Sequence, residues 1–332
     1  MYCQRPESSI NKQGVEINSF NQIIRFASCT AAADLKNKRQ CGNEEKMAGL
    51  LSGLEKLGLK DLENMDVFEE EKKKEAIEQA NKQKVPEVHE ADFLFDKTYA
   101  CPVCDSKIKV RTMKAGKAKL LHTDLDLRPV YEHVEPLKYD AIICPECGYA
   151  ALSRYFGGLT AGQIKAIKDT ISKSYQKTEQ NKETYTYEEA VERYKLCLAN
   201  AIVKHAKASE KAYICLKGGW LQRAMAEKLD KEEADYSTKR AQFKEQEREF
   251  LKNALDGFLS ARQSENYPMC GMDESTVEYL IAVLAMEFEQ YDISSRLISG
   301  ILVSPSATSR MKDKARNVKE VLIAKIKEKN AG

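Results

Sequence analysis

The chain has 332 residues, 42% of them hydrophobic and 31% charged, which suffices to fill two cores of ordinary size and excludes a wholly disordered tail. Fifty-three Lys and Arg stand against 51 Asp and Glu, a formal charge of +2, so no global field holds the molecule on nucleic acid or anionic lipid and any charge argument is local. No stretch approaches 18 consecutive apolar residues, and the run at 23–33 (IIRFASCTAAA) is interrupted by Arg25 without a clean basic region before it. Neither a spanning helix nor a secretion signal is predicted, and a cytoplasmic location is expected.

Positions 1–46 show neither alternation nor helical periodicity and are expected to be an unstructured extension or a mis-assigned start. Translation is expected to begin at Met47, because Glu44-Glu45 can be encoded by the purine-rich GAGGAG of a ribosome-binding sequence. Positions 47–91 read as a leader followed by a charged helical linker. Leu50, Leu51, Leu54, Leu57, Leu59 and Leu62 recur near helical spacing, but Gly49, Gly53 and Gly58 each weaken a helix by about 1 kcal/mol relative to Ala. In EEEKKKEAIEQANKQK (69–84), Glu70 and Lys74 are spaced for a surface pair, and Val85-Pro86 ends the segment.

Positions 92–158 change character, with β-prone runs at 107–112 and 139–144. Of ten cysteines, Cys101-Pro102-Val103-Cys104 and Cys144-Pro145-Glu146-Cys147 form two CxxC knuckles, whereas Cys3, Cys29, Cys41, Cys197, Cys215 and Cys270 stand alone. A reducing compartment argues against disulfides. Each knuckle can supply two thiolates to a tetrahedral ion, so Cys101, Cys104, Cys144 and Cys147 are the candidate metal ligands and one structural Zn2+ is the expected cofactor. Rubredoxin-type iron uses the same knuckles and a thioredoxin-like dithiol uses a single CxxC; two pairs without a surrounding βαβ pattern favour zinc. Gly148 permits the left-handed turn that aims backbone N–H groups at sulfur, and Asp105 takes the same place in the first knuckle. Positions 105–143 between the knuckles exceed the common ribbon gap of about 15–20 residues, so a hairpin excursion is expected. With four cysteines filling the ion, His122 and His133 read as hairpin residues.

The run SKIKVRTMKAGKAKLL (106–121) carries Lys107, Lys109, Arg111, Lys114, Lys117 and Lys119 without an acid. It could follow a phosphate backbone. Against this, it has no aromatic residue for stacking, Asp124, Asp126, Glu132 and Glu135 follow, and the alternation with Ile108 and Val110 is that of a solvated hairpin face.

Positions 159–329 are helical. Stripes with i, i+3, i+4 spacing fall on Ala190, Val191, Tyr194, Cys197 and Ala201, on Tyr213, Leu216, Trp220 and Ala224, and on Phe243, Phe250, Leu251, Leu255 and Phe258. Two more fall on Leu280, Ile281, Leu284 and Phe288 and on Ala315, Val318, Leu322 and Ile326. Cys197 and Cys215 lie in these stripes as small core residues. EYLIAVLAMEFEQYDISSRLISGI (278–301) resembles a tetratricopeptide helix pair with a turn at Gln290-Tyr291-Asp292, and 186–226 resembles another.

CPVC, the basic hairpin, then YDAIICPECGYA (139–150) and, further on, Gly271-Met272-Asp273-Glu274 before a helix pair resemble a bacterial family, domain-of-unknown-function family 2225, over roughly residues 47–325. The resemblance implies a metal site at the same four cysteines and a bacterial, cytosolic origin, and names no reaction. The expected fold class is α+β, mostly α: a small zinc-ribbon-like β module with two CxxC knuckles, then a tetratricopeptide-repeat-like helical domain. The expected function is a non-enzymatic zinc-binding adaptor that takes a protein or peptide on its helices, with no membrane and no small-molecule substrate evident. The alternative is a nucleic-acid-associated regulator using the basic hairpin. No phosphate-cradling glycine loop, HExxH or GxSxG motif is present in the sequence.

Overall fold

The computed structural model describes residues 88–177, 182–232 and 234–331, together with Lys56, Gly58 and residues 70–74. The chain divides into two units, Met1–Lys84 and Val85–Gly332. In the first, residues 70–74 of the charged segment are helical; the extension expected at 1–46 and, apart from Lys56 and Gly58, the leucine-rich leader lie outside the described residues.

The second unit opens with three separate antiparallel hairpins. β1 (Leu94–Ala100) pairs with β2 (Lys107–Met113), β3 (Leu120–Thr123) with β4 (Pro129–Tyr131), and β5 (Ala141–Ile143) with β6 (Ala150–Leu152). In β2 the predicted alternation holds: Ile108 and Val110 are buried while Lys107 and Lys109 are exposed. The sequence pointed to β2 and β5 but not to their partners. β1 (LFDKTYA) is mostly exposed and β6 is Ala-Ala-Leu, so neither carries a strong strand signal; each is paired because a knuckle turns the chain back onto its neighbour. The excursion between the knuckles is filled by the β3–β4 hairpin and a 3-10 turn at Pro136–Tyr139.

Among the described residues seven helices follow: α1 (Ala161–Ile167), which continues as a π turn at Lys168–Ser172, then α2 (Tyr187–Val203), α3 (Ala208–Lys228), α4 (Tyr236–Ser264), α5 (Glu274–Glu287), α6 (Tyr291–Val303) and α7 (Ser309–Ala331). Thr160 with Gln163 and Thr186 with Glu189 form capping boxes that start α1 and α2, and the Asp273 carboxylate caps α5 by accepting from the Thr276 N–H. Helices adjacent in sequence pack together from α2 to α7. α3 and α4 approach closely because their contact carries glycine: a Cβ on Gly218 would sit 2.8 Å from the Phe250 ring, and one on Gly257 would sit 2.8 Å from the Ala212 Cβ. The turn expected at 290–292 falls earlier. α5 ends at Glu287, Glu289 takes a left-handed φ of 58°, and α6 already starts at Tyr291.

The strands and helices share one core. Ala141, Ile143, Ala150 and Leu152 join Val191 and Tyr194 of α2 and the buried faces of α3 to α7 in one cluster. The opposite faces of β5 and β6, Ile142 and Ala151, pack instead with Cys101, Cys144, Cys147 and the Ile108–Val110 side of β2. A two-residue period thus turns each of these short strands toward helices on one side and cysteines on the other. Among the described residues no helix is long and apolar enough to cross a membrane.

Candidate metal centre

Each knuckle is a tight turn with the same backbone hydrogen bonds. In the first, the Asp105 N–H donates to the Cys101 carbonyl and the Cys101 N–H to the Ser106 carbonyl, both at 2.9 Å. In the second, the Gly148 N–H donates to the Cys144 carbonyl at 2.9 Å and the Cys144 N–H to the Tyr149 carbonyl at 2.8 Å. Both turns close through a left-handed residue, Asp105 at φ 60° and Gly148 at φ 71°, as the sequence implied. The turns aim N–H groups at sulfur: Val103 and Cys104 at Cys101, Glu146 and Cys147 at Cys144, and Tyr149 at Cys147.

The two knuckles face each other. The Sγ atoms of Cys101 and Cys147 are 3.6 Å apart, those of Cys104 and Cys144 are 3.6 Å apart, and all four lie within 4.8 Å of one another. Those distances exceed the roughly 2.05 Å of a disulfide, and all four cysteines are free. A tetrahedron with sulfur about 2.3 Å from a central zinc has edges of about 3.8 Å, so the donor set fits a tetrathiolate ion. Cys101, Cys144 and Cys147 are buried and Cys104 is half-exposed at the edge, its Sγ 3.2 Å from the Ser106 hydroxyl.

The thiols share protons unevenly. Hydrogen bonds from Cys101 and Cys147 hold the Cys144 thiol below its ordinary range, and the same sharing, with burial, pushes Cys101 and Cys147 above theirs. Lone pairs converging on one point are what a soft cation satisfies best.

The helical domain grips this centre through three buried side chains of α2. Asn200 Nδ2 donates to the Gly148 carbonyl at 3.1 Å, Arg193 Nη2 to the Ala141 carbonyl at 2.8 Å, and the Tyr194 hydroxyl to the Leu137 carbonyl at 3.1 Å. Tyr175 covers the other side of Gly148, where a Cβ would fall 2.4 Å from its ring. Helical periodicity flagged Tyr194 as a core residue but gave no reason to select Arg193 or Asn200, whose partners are backbone carbonyls distant in sequence.

A second set of contacts seats the β3–β4 hairpin. Arg223 reaches Asp126 at 2.7 Å, Asp124 at 3.1 Å and Glu247 at 2.6 Å; Arg128 reaches Asp124 at 2.7 Å and Glu227 at 2.8 Å. Trp220 Nε1 donates to Asp126 at 2.9 Å, and the Tyr279 hydroxyl to the Leu125 carbonyl at 3.0 Å. Asp124 and Asp126, which in sequence only offset the basic run, are thus partners of Arg223 and Trp220 on α3.

His122 and His133 lie away from the cysteines, exposed beside Asp124 and Glu132. Of the basic run, Arg111 pairs with Asp96 at 3.3 Å, Lys119 pairs with Glu132 at 3.1 Å, and Lys114 donates to the Asp92 carbonyl. Burial raises the Cys215 thiol to about 12 and the Cys197 thiol further, the behaviour of inert core cysteines; Cys270 donates to the Ser209 carbonyl at 3.2 Å. Cys3, Cys29 and Cys41 lie outside the described residues.

No curated protein and no solved structure matches the chain. A family described as "Uncharacterized protein conserved in bacteria (DUF2225)" matches residues 94–322, which takes in both knuckles, all three hairpins and the helices as far as α7. Positions 47–93 and 323–325 of the span suggested by sequence resemblance fall outside the match. Since the matched region holds the four-cysteine cluster, the helices packed on it and more than half of the chain, the protein belongs to the DUF2225 family.

Proposed function

We propose that the protein is a non-enzymatic adaptor in which one structural Zn2+, held by Cys101, Cys104, Cys144 and Cys147, fixes a hairpin module on a helical scaffold that binds a protein or peptide. The observation carrying this reading is the convergence of four cysteine sulfurs within 4.8 Å. Four sulfurs fill the tetrahedral positions of zinc, so the ion would supply folding energy and leave no place for substrate. The burial of Cys144 and Cys147 and the grip of Asn200 on the second knuckle support a structural role. Packing of neighbouring helices from α2 to α7 supports a scaffold of stacked pairs, whose usual use is to present an extended binding surface. Ion pairs at Arg111 and Lys119 reduce the field of the basic hairpin and favour a peptide over a nucleic acid.

Two measurements test the reading. Elemental analysis of purified protein should give one zinc per chain, and Cys144→Ser should lose it; stable metal-free wild type, or stoichiometric iron, would overturn the zinc assignment. Crosslinking in native cells, with and without nuclease, should yield protein partners attached to 187–331 that survive nuclease. Crosslinks to nucleic acid at 107–119 would overturn the adaptor reading in favour of the nucleic-acid regulator.

A further inference from the structure

A cavity of about 540 Å³ lies between the hairpins and the helices, within the roughly 300–1,000 Å³ of small-molecule sites. Five aromatic residues line it: Tyr99 of β1, Tyr131 of β4, Tyr139, and Tyr213 and Trp220 of α3. Leu127, Leu137 and Ile142 add apolar wall, so most of a ligand's surface would meet rings and hydrocarbon.

One polar feature interrupts that wall. Lys217 Nζ donates to Asp140 Oδ2 at 2.5 Å, and the Ser153 hydroxyl donates to Asp140 Oδ1 at 2.5 Å. The Lys217 ammonium also lies 4.5 Å from the Tyr213 ring centroid. The pair is largely withdrawn from solvent, with the two side chains 13% and 19% exposed. An ammonium has three donors and a carboxylate about four lone-pair sites. The bond to Asp140 leaves Lys217 donor capacity, and the bonds from Lys217 and Ser153 leave Asp140 acceptor capacity.

The charge balance selects the ligand. Lys217 and Asp140 neutralise each other, so the cavity wall offers no net charge to an anion or a cation, yet it offers both a donor and an acceptor. We propose that the cavity binds an uncharged planar heteroaromatic small molecule of nucleobase type, its ring against the Tyr and Trp faces and an edge with adjacent acceptor and donor across Lys217 and Asp140. Aromatic stacking favours a flat ring, and buried polar groups that lose water without gaining a partner reject a plain hydrocarbon. The site is separate from the metal centre but built on the same strands: Tyr99 and Ile142 precede Cys101 and Cys144 by two residues each.

Trp220 is the chain's one tryptophan and lines the cavity, so its fluorescence reports on this site. The full-length metal-containing protein would be titrated with adenine, uracil and nicotinamide, and with benzoate and choline as charged controls. At least one neutral heteroaromatic should change Trp220 emission saturably with a half-point at or below about 1 mM, and bind at least about tenfold more tightly than either control. Thr112→Phe projects a ring into the cavity from β2, leaves the ion pair intact, and should abolish the response while metal content and melting temperature are kept. Saturation-transfer NMR on the unmodified chain needs no variant and should show transfer to the probe's ring protons. The proposal is overturned by absence of both responses up to about 10 mM, by tighter binding of benzoate or choline, or by an undiminished response in a folded Thr112→Phe protein.

Discussion

From within the core, Asn200 Nδ2 of α2 donates a 3.1 Å hydrogen bond to the carbonyl oxygen of Gly148, the residue that closes the second cysteine knuckle. Asn200 is fully buried and also donates to the Leu196 carbonyl of its own helix. The bond ties the geometry of the four-cysteine cluster to the position of a helix that carries none of the four cysteines.

Replacing Asn200 with Leu leaves the Gly148 carbonyl buried without its donor, a cost of about 1–3 kcal/mol. Metal content should match that of the wild type while the urea midpoint falls and metal transfer to a competing chelator quickens. Unchanged transfer kinetics in a destabilised variant would show that the bond serves packing alone.

The two knuckles respond oppositely to glycine exchange. Gly148→Ala forces a Cβ into the Tyr175 ring and holds a side chain in the left-handed region, so it should destabilise by at least about 1–2 kcal/mol. Asp105→Gly relieves the corresponding strain at φ 60° and should change stability by less than about 1 kcal/mol. Paired thermal melts of the two variants check this; equal losses would mean that the conformations do not limit either turn.

Arg223 is the hub of the charges that seat the β3–β4 hairpin. Arg223→Met leaves Asp126 and Glu247 without their cation in a largely buried setting, for which about 3–5 kcal/mol is expected. Hydrogen exchange should rise first in β3 and β4, with the cysteine knuckles still protected. Loss of protection at the knuckles before the hairpin would refute this order.

Acid should act through Asp140. Burial raises its pKa, but the Lys217 charge and the hydrogen bonds from Lys217 and Ser153 outweigh burial and hold it below the usual carboxylate range. The unfolded side chain takes up its proton near about pH 3.9, before the folded one does. Stability from this group is therefore complete above about pH 5 and is lost as pH falls through the folded value. Asp140→Asn should flatten the pH dependence of the urea midpoint below about pH 5, and an unaltered slope would remove Asp140 from the explanation.

Because Ala141, Ile143, Ala150 and Leu152 share a core with the helices, chelating the metal should weaken more than the hairpins. A strong chelator should lower the melting temperature of the whole unit Val85–Gly332 in one transition, read by circular dichroism at a helical wavelength. A helical signal indifferent to chelation would indicate that the hairpins unfold alone.

The cysteine cluster was legible in the sequence because its chemistry is local: a CxxC turn is self-contained, and two such turns can satisfy one ion wherever the chain brings them together. The helices were legible too, since Ala190, Val191, Tyr194, Cys197 and Ala201 repeat with the helical period and each such stripe must be covered. What no local pattern encodes is which carbonyl a buried donor will reach. Arg193 and Asn200 read as ordinary helix residues until Ala141 and Gly148 lie beside them, and Asp124 and Asp126 read as surface acids until Arg223 and Trp220 arrive from α3. The aromatic cavity likewise gathers Tyr99, Tyr131, Tyr139, Tyr213 and Trp220 from segments far apart in the chain. The sequence by itself determined the two cysteine knuckles and the helical stripes, through short-range spacing. Tertiary structure alone decided the grip on the knuckle, the seat of the second hairpin and the cavity, because each depends on desolvated contacts between distant segments.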